Sequence, residues 1–286
     1  ITGVASTALT QLLVWKRRVL AIEESTFKMW YLAADAISGA MTSFSFSGIF
    51  QRGGYLTALI NWTVDGGSGV DDHLLAVTSE GEVALYKGTD PSTAANFALQ
   101  GVYFIGKPVG TRFYTKKGGD VIFLTSSGVV SFTGFLQDAA QVEKAALSDR
   151  ILPTLQSDIL AYGATSGWEL HHYVEETLLI VQVPAGSVGS RYQWVQNTQT
   201  GAWSRLYMAD AATFAILNRV LYAGHSTQVV NSWTGGTDGE DDIEYTIVPA
   251  FSYFGTPSSN KKFSLGRVVF EADARPAFQV KLLSNF

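Results

Sequence analysis

The chain of 286 residues contains no cysteine. That excludes a disulfide framework, a thiolate metal site and cysteine nucleophiles, and it leaves the redox compartment undetermined. Charge is sparse: 16% of residues are Asp, Glu, Lys or Arg, with a formal net charge of −5 and a pI near 5.4. An acidic balance argues against a surface built to neutralise phosphates. The densest basic stretch is Lys16-Arg17-Arg18, a triplet that reads as a solvated strand end. No apolar run reaches the length of a membrane span, and no signal peptide opens the chain. Long helical periodicity is nearly missing too. The chain starts at Ile1 and stops within "VKLLSNF", as if in mid-strand, so an internal piece of a longer protein is expected.

Apolar residues, by contrast, make up 47% of the sequence and aromatics 13%, enough for a large core rather than disorder. Short β-type runs broken by Gly, Ser, Thr, Asn and Asp predict an all-β fold. One pattern recurs. In "DHLLAVTSEGEVALYKGTDP" (72–91) a polar lead precedes Leu74–Val77, then a Ser79-Glu80-Gly81 turn, then Val83–Tyr86. "GGDVIFLTSSGVVSFTG" (118–134), "NRVLYAGHSTQVVNSWTG" (218–235) and "RRVLAIEESTFKMWYL" (17–32) repeat that grammar, and "EETLLIVQVPAGSVGSRYQWVQNTQTGAWSRL" (175–206) does so with a longer excursion. Each is a predicted hairpin around a turn of small polar residues. The copies begin near residues 17, 72, 119, 176 and 218, roughly 42 to 57 apart, close to the period of one propeller blade, about 40 to 50 residues. The expectation is a β-propeller-like array of antiparallel hairpin blades forming one domain over residues 1–286. The irregular spacing leaves a β-sandwich with decorated loops as the competing arrangement.

Residues 137–160, "QDAAQVEKAALSDRILPTLQSDIL", form the only stretch that invites helix. Ser148 or Asp149 is a candidate cap for a helix with Pro153 in its first turn, and the insert is expected on the rim as a contact element. The tryptophans (Trp15, Trp30, Trp62, Trp168, Trp194, Trp203 and Trp233) are spread along the chain, which suits packing between blades better than a ligand platform. Within 197–206, Asn197 to Gly201 is read as a turn and Trp203 as an inward-pointing strand residue.

The search for chemistry yields no site residue: no catalytic, cofactor-binding or metal-binding position is assigned. Among the histidines (His73, His171, His172, His225), the adjacent pair His171-His172 would point to opposite faces of a strand. Most of the acid doublets, Glu23-Glu24, Asp71-Asp72, Glu175-Glu176 and Asp241-Asp242, are expected at strand entries or turns. The acidic loops 63–72 and 234–245 suit solvated turns or a weak calcium site; Asp238, Glu240 and Asp242 alternate, but no distal Glu completes an EF-hand. "GGSG" (66–69) lacks the strand and helix of a nucleotide-binding loop, and neither "SGIFQRGG" nor "SSGVV" forms a nucleophile elbow.

Several phrases taken in order resemble one family. They are "VWKRRVLAIEESTFKMWYL", "FQRGGYL", "DHLLAVTSEGEVALYKGTDPS", "LQGVYFIGKPVGTRFYTKKGGDVIFLTSSGVVSF", "LSDRI" and "AFSYFGTPSSNKKF". They are similar to the tail nozzle (tail tubular, stabilisation) proteins of tailed bacteriophages, over roughly residues 14 to 270 and most densely 70 to 135. The resemblance implies a virion structural protein of the phage tail, with a β-propeller domain and no enzymatic role. It implies a homo-oligomeric ring, a hexamer, at the end of the tail tube, between the adaptor or connector and the tail fibre or spike proteins. DNA would pass through the channel during ejection without sequence-specific binding, and an acidic lining would repel its backbone. Two other classes fit the sequence: a carbohydrate-binding or depolymerising propeller, and a generic propeller scaffold for protein partners.

Overall fold

A computed structural model describes residues 1–65, 70–137, 146–186, 191–207 and 210–235, with scattered positions beyond. The chain divides into two compact units, Ile1–Asp242 and Ile243–Phe286. Among the described residues, all helices and strands lie in the first.

That unit is a succession of antiparallel meanders, each sheet made from strands consecutive in sequence. Sheet 1 holds β1 (Leu9–Trp15), β2 (Arg18–Glu23), β3 (Lys28–Tyr31) and β4 (Thr42–Ser45). Sheet 2 holds β5 (Leu56–Asp65), β6 (Val70–Thr78), β7 (Glu82–Gly88) and β8 (Phe97–Phe104). Sheet 3 holds β9 (Tyr114–Lys117), β10 (Asp120–Thr125) and β11 (Gly128–Ser131). Sheet 4 holds β12 (Glu169–Tyr173), β13 (Leu178–Val183), β14 (Tyr192–Asn197) and β15 (Trp203–Leu206). Sheet 5 holds β16 (Thr213–Leu217), β17 (Val220–Gly224) and β18 (Val229–Asn231), and a two-stranded hairpin, β19 (Thr237–Asp238) with β20 (Asp241–Asp242), follows. Repetition of one meander along the chain, each copy packed on the next, is a β-propeller-like array of blades.

The packing shows why the sheets of this unit must stack. Successive side chains of a strand point to opposite faces, and in sheet 2 both faces are apolar. Leu74 and Ala76 of β6, with Ala84 and Tyr86 of β7, join a core shared with sheet 1 through Trp15, Leu20, Ile22 and Met29. The alternate residues Leu75, Val77, Val83 and Leu85 join a second core, with Val121 and Phe123 of sheet 3 and Leu179 and Val181 of sheet 4. Sheet 4 divides likewise, since Leu178, Ile180 and Val195 pack on Phe214, Leu221 and Ala223 of sheet 5. A sheet with two apolar faces cannot be stable alone, so each needs a neighbour on either side.

The recurrent hairpins of the sequence are the second and third strands of every blade: β2–β3, β6–β7, β10–β11, β13–β14 and β17–β18. The turn in 79–81 depends on glycine. Gly81 has φ +84°, and a Cβ there would stand 2.2 Å from the Gly106 carbonyl oxygen; its N–H donates to Thr78 O at 3.1 Å. The turn between Asn197 and Gly201 also forms, with Asn197 Oδ1 accepting from the Gln199 and Thr200 N–H groups. Trp203 begins β15, half-buried, its Nε1 donating to Leu147 O at 2.9 Å.

The insert differs from its sequence reading in two respects. It follows α1 (Phe132–Gln137) and leads into α2 (Leu152–Tyr162), with the Ala-rich residues 138–145 outside the described set. Pro153 does lie in the first turn of α2, but neither Ser148 nor Asp149 caps it; Ile151 holds that position without a side-chain bond. Ser148 is fully buried instead, its Oγ accepting from Val129 N–H of β11 at 2.9 Å. Nor is α2 a rim element alone. Leu155 enters the central core and Asp158 accepts a bond from Trp194 Nε1 at 2.7 Å.

Candidate functional site

The first strands of the sheets run beside one another: β1 by β5, β9 by β12, and β12 by β16, with β5 also touching β10. Those of sheets 1 to 4 border a cavity of about 450 Å³. Its lining mixes polar and apolar side chains, with Thr10 and Gln11 from β1, Thr57 and Ala58 from β5, Arg112 just before β9, Tyr114 within it, and Leu170 and His171 from β12. Three side-chain assemblies around this cavity and its sheets tie one blade to the next.

The first is built on Gln11. Its Oε1 accepts from Leu59 N–H of β5 at 2.7 Å, and its Nε2 donates to Leu59 O at 3.2 Å. The side-chain amide thus imitates a strand partner, meeting the donor and acceptor of one β5 residue. The same Nε2 lies 3.1 Å from the Tyr114 hydroxyl of sheet 3, so one side chain spans three sheets. Burial pushes the Tyr114 phenol above its ordinary pKa, with the Gln11 bond acting the other way. Replacing Gln11 by alanine strands the Leu59 N–H and is expected to cost about 1–3 kcal/mol, read as a lower midpoint in urea unfolding.

The second assembly centres on Glu169, whose side chain is 8% exposed. It accepts from His171 Nε2 at 2.9 Å, from Thr213 Oγ1 at 2.7 Å and from Phe214 N–H at 3.0 Å, while Arg112 Nη1 stands 3.1 Å away. Burial pushes the carboxyl pKa up, but hydrogen bonds from His171, Thr213 and the Phe214 amide outweigh it and hold the group below the ordinary carboxylate range. Sheets 3, 4 and 5 therefore share one ionised carboxylate. With its oxygens so engaged, Glu169 clamps these sheets together.

A third assembly is buried and neutral. Gln193 Nε2 donates to Gln182 Oε1 at 2.8 Å, and Gln182 Nε2 donates to Ala211 O at 2.8 Å, linking β14, β13 and the approach to sheet 5. Between sheets 1 and 2 the corresponding ties are ionic. Lys16 meets Asp72 and Arg18 meets Asp90, each at 2.8 Å, and Arg17 pairs with Asp35 beside them. The basic triplet expected as a solvated strand end is thus paired at every member. Lys16 and Arg17 form the β1–β2 turn with φ of 46° and 63°. A hydrogen bond from Lys16 holds the Asp72 carboxyl below its ordinary pKa, and one from the Ser92 amide does the same for Asp90.

The remaining candidates are dispersed. His171 and His172 do face opposite ways: His171 meets Glu169, and His172 Nδ1 lies 3.2 Å from Lys116 O. Burial lowers the His172 pKa. His73 packs on Trp62, ring centroids 5.5 Å apart, and His225 lies in the β17–β18 turn. Glu23 accepts from Trp30 Nε1 at 2.8 Å and Glu175 forms a two-bond pair with Arg219. Of the acidic loops, residues 66–69 and Glu240 lie outside the described residues, whereas Asp71 and Asp72 belong to β6. Among the described residues no group of three or more His, Asp or Glu side chains is placed to hold a metal ion. No helix among them is long and apolar enough to cross a membrane. Four of the tryptophans (Trp15, Trp62, Trp168 and Trp194) are buried, while Trp233 is 41% exposed.

Sequence reasoning missed Gln11, Glu169 and Gln182 entirely. Each is a polar residue at an inward strand position, but nothing in its local pattern names a partner on a distant strand.

No family model matches the chain, and no curated protein matches it. Among solved structures, the WD40 domain of SCAP from fission yeast is similar over 78% of this chain, with 11% identity and a TM-score of 0.42. This chain covers 55% of that one, about half its length. The fission yeast SREBP–SCAP binding domains in complex are similar over 87% of this chain and 68% of theirs, at 11% identity and a TM-score of 0.41.

Proposed function

We propose that the chain is a structural, non-catalytic protein of a bacteriophage virion, a subunit of the ring-shaped nozzle that ends a short tail. The sequence phrases that resemble tail nozzle proteins supply the family. The observation that carries the structural role is the use made of polar residues on and beside the first strands of the sheets. Gln11, Arg112, Glu169 and Thr213 are bonded from one sheet to the next, which is what the wall of a ring needs. The ring would be a homo-oligomer, a hexamer, set between the adaptor and the fibres or spikes. Its net charge of −5 suits a lumen along which DNA slides without adhering.

Immunogold labelling of intact virions with antibodies against the chain tests this reading. Label confined to the tail end is expected, with a sixfold ring in particle reconstructions. Label absent from virions, together with a monomer that binds glycans on an array, would replace this reading with that of a carbohydrate-binding propeller.

A further inference from the structure

The last strand of sheet 4 carries a cation with no counter-charge among the described residues. Arg205 lies in the middle of β15, which closes its sheet and has no strand on its outer side among those residues. Its guanidinium carbon lies 4.9 Å from the ring centroid of Tyr192, 5.5 Å from that of Trp194 and 5.7 Å from that of Tyr207. The register explains the cluster. Arg205 is directly opposite Trp194, and Tyr192, two residues along on the same face, meets Tyr207 with ring centroids 5.8 Å apart.

Arg17, Arg18, Arg112, Arg191 and Arg219 form ion pairs. Among the described residues Arg52, Arg150 and Arg205 form none, and of these Arg205 is the one set against three aromatic rings. The acid beside the cluster, Asp158, is already engaged by Trp194 Nε1 at 2.7 Å and by the Tyr192 hydroxyl. The guanidinium is therefore held by aromatic rings with its donors unclaimed among the described residues, an arrangement pre-organised for two-point recognition of a carboxylate. Around it, Ser204 and Arg205 are exposed and Tyr207 is 60% exposed. Tyr, Trp and Arg are the side chains that concentrate binding energy at protein interfaces, and an open strand edge accepts an added strand through its main chain.

The complementary charge is in the same sequence. Asp238, Glu240, Asp241, Asp242 and Glu244 fall within seven residues, with no Lys or Arg between Arg219 and Lys261. We propose that the β15 edge with Arg205 is the docking site for the acidic segment 238–244 of a second copy of the chain, which carries five carboxylates in sequence. Such a contact is heterologous, one patch meeting a different one, and repeats around a ring. It deepens the ring reading above by naming the patches, but it requires only self-association, not a virion.

Charge exchange tests it. Arg205→Glu and the double variant Asp241→Lys/Asp242→Lys are prepared in the full chain, checked for folding by far-ultraviolet circular dichroism, and followed by light scattering and native mass spectrometry. Each variant alone should self-associate at least about tenfold more weakly than the parent chain, one lost charge-assisted contact. Mixed together they should re-form oligomers, because the carboxylate introduced in one copy then meets the ammonium groups introduced in the other. Rescue only on mixing establishes a contact between copies. Variants that assemble like the parent chain, no rescue on mixing, or a parent chain that stays monomeric throughout would overturn the inference. Tail-end labelling of virions in the first of these cases would leave the nozzle reading standing without this interface.

Discussion

Replacing Glu169 by alanine is expected to lower the unfolding free energy by about 3–5 kcal/mol, the loss typical when one partner of a buried charged network is removed. The Phe214 N–H and the Thr213 hydroxyl would lose their acceptor inside the protein, and the Arg112 side chain its anchor. Glu169→Gln should cost less, since the side chain keeps its size and one acceptor oxygen. Guanidinium titrations at pH 7 measure both, and a change below about 1 kcal/mol for the alanine variant would refute the clamp. The pH dependence has a definite sign. Because the folded carboxyl lies below its ordinary range, the unfolded chain binds the proton first as pH falls. Glu169 therefore contributes stability above the unfolded pKa of about 4.3, and that contribution is lost as pH drops through the folded value. In Glu169→Gln this part of the acid sensitivity should vanish, leaving the parts that belong to Asp72, Asp90 and Glu175, whose carboxyls are also held down.

Phe123→Ala is expected to be as damaging by a different route. Phe123 is fully buried in β10, the central strand of sheet 3, with its ring 6.0 Å from Phe132 and 6.3 Å from Phe113 between centroids. The core it enters joins sheets 2, 3 and 4, so the void cannot close by movement of one sheet alone. Truncations of this kind cost about 3–5 kcal/mol. Unlike the Glu169 effect, this loss should be the same at pH 4 and pH 7. A loss under about 2 kcal/mol in the same titration would mean that the neighbouring sheets relax into the space.

The two residues also mark where sequence reading succeeds and where it stops. Phe123 stands in Val121-Ile122-Phe123-Leu124, a continuous apolar run visible without any structure, and the same holds for Leu74–Val77 and for Leu178 to Val181. These second and third strands are legible because a sheet lies against each face, so every side chain must be apolar. First and fourth strands are harder to see. β1 reads Leu-Thr-Gln-Leu-Leu-Val-Trp with alternate exposure, and β8 is exposed along most of its length, so neither carries the uninterrupted run. The short helix α2 is signalled by Pro153, whereas Ser148 looks like a cap and binds a strand amide instead. A serine before a helix satisfies both readings locally.

The clamp residues were not legible at all. Glu169 and Gln182 look like ordinary polar positions until strands far apart in sequence are set side by side, since a hydrogen bond over 29 or 45 residues leaves no local trace. Arg205 likewise becomes a platform only when β14 pairs with β15 and places Trp194 opposite it. By itself the sequence determined the all-β class, the repeated hairpin, the turn glycine at 81 and the acidic balance. Those depend on periods of two residues, backbone angles and composition, which are properties of neighbours in the chain. The tertiary structure decided which charges are paired, which amides join the blades and which arginine is left on an open edge. Those depend on register between strands that only the collapse of many apolar faces brings together.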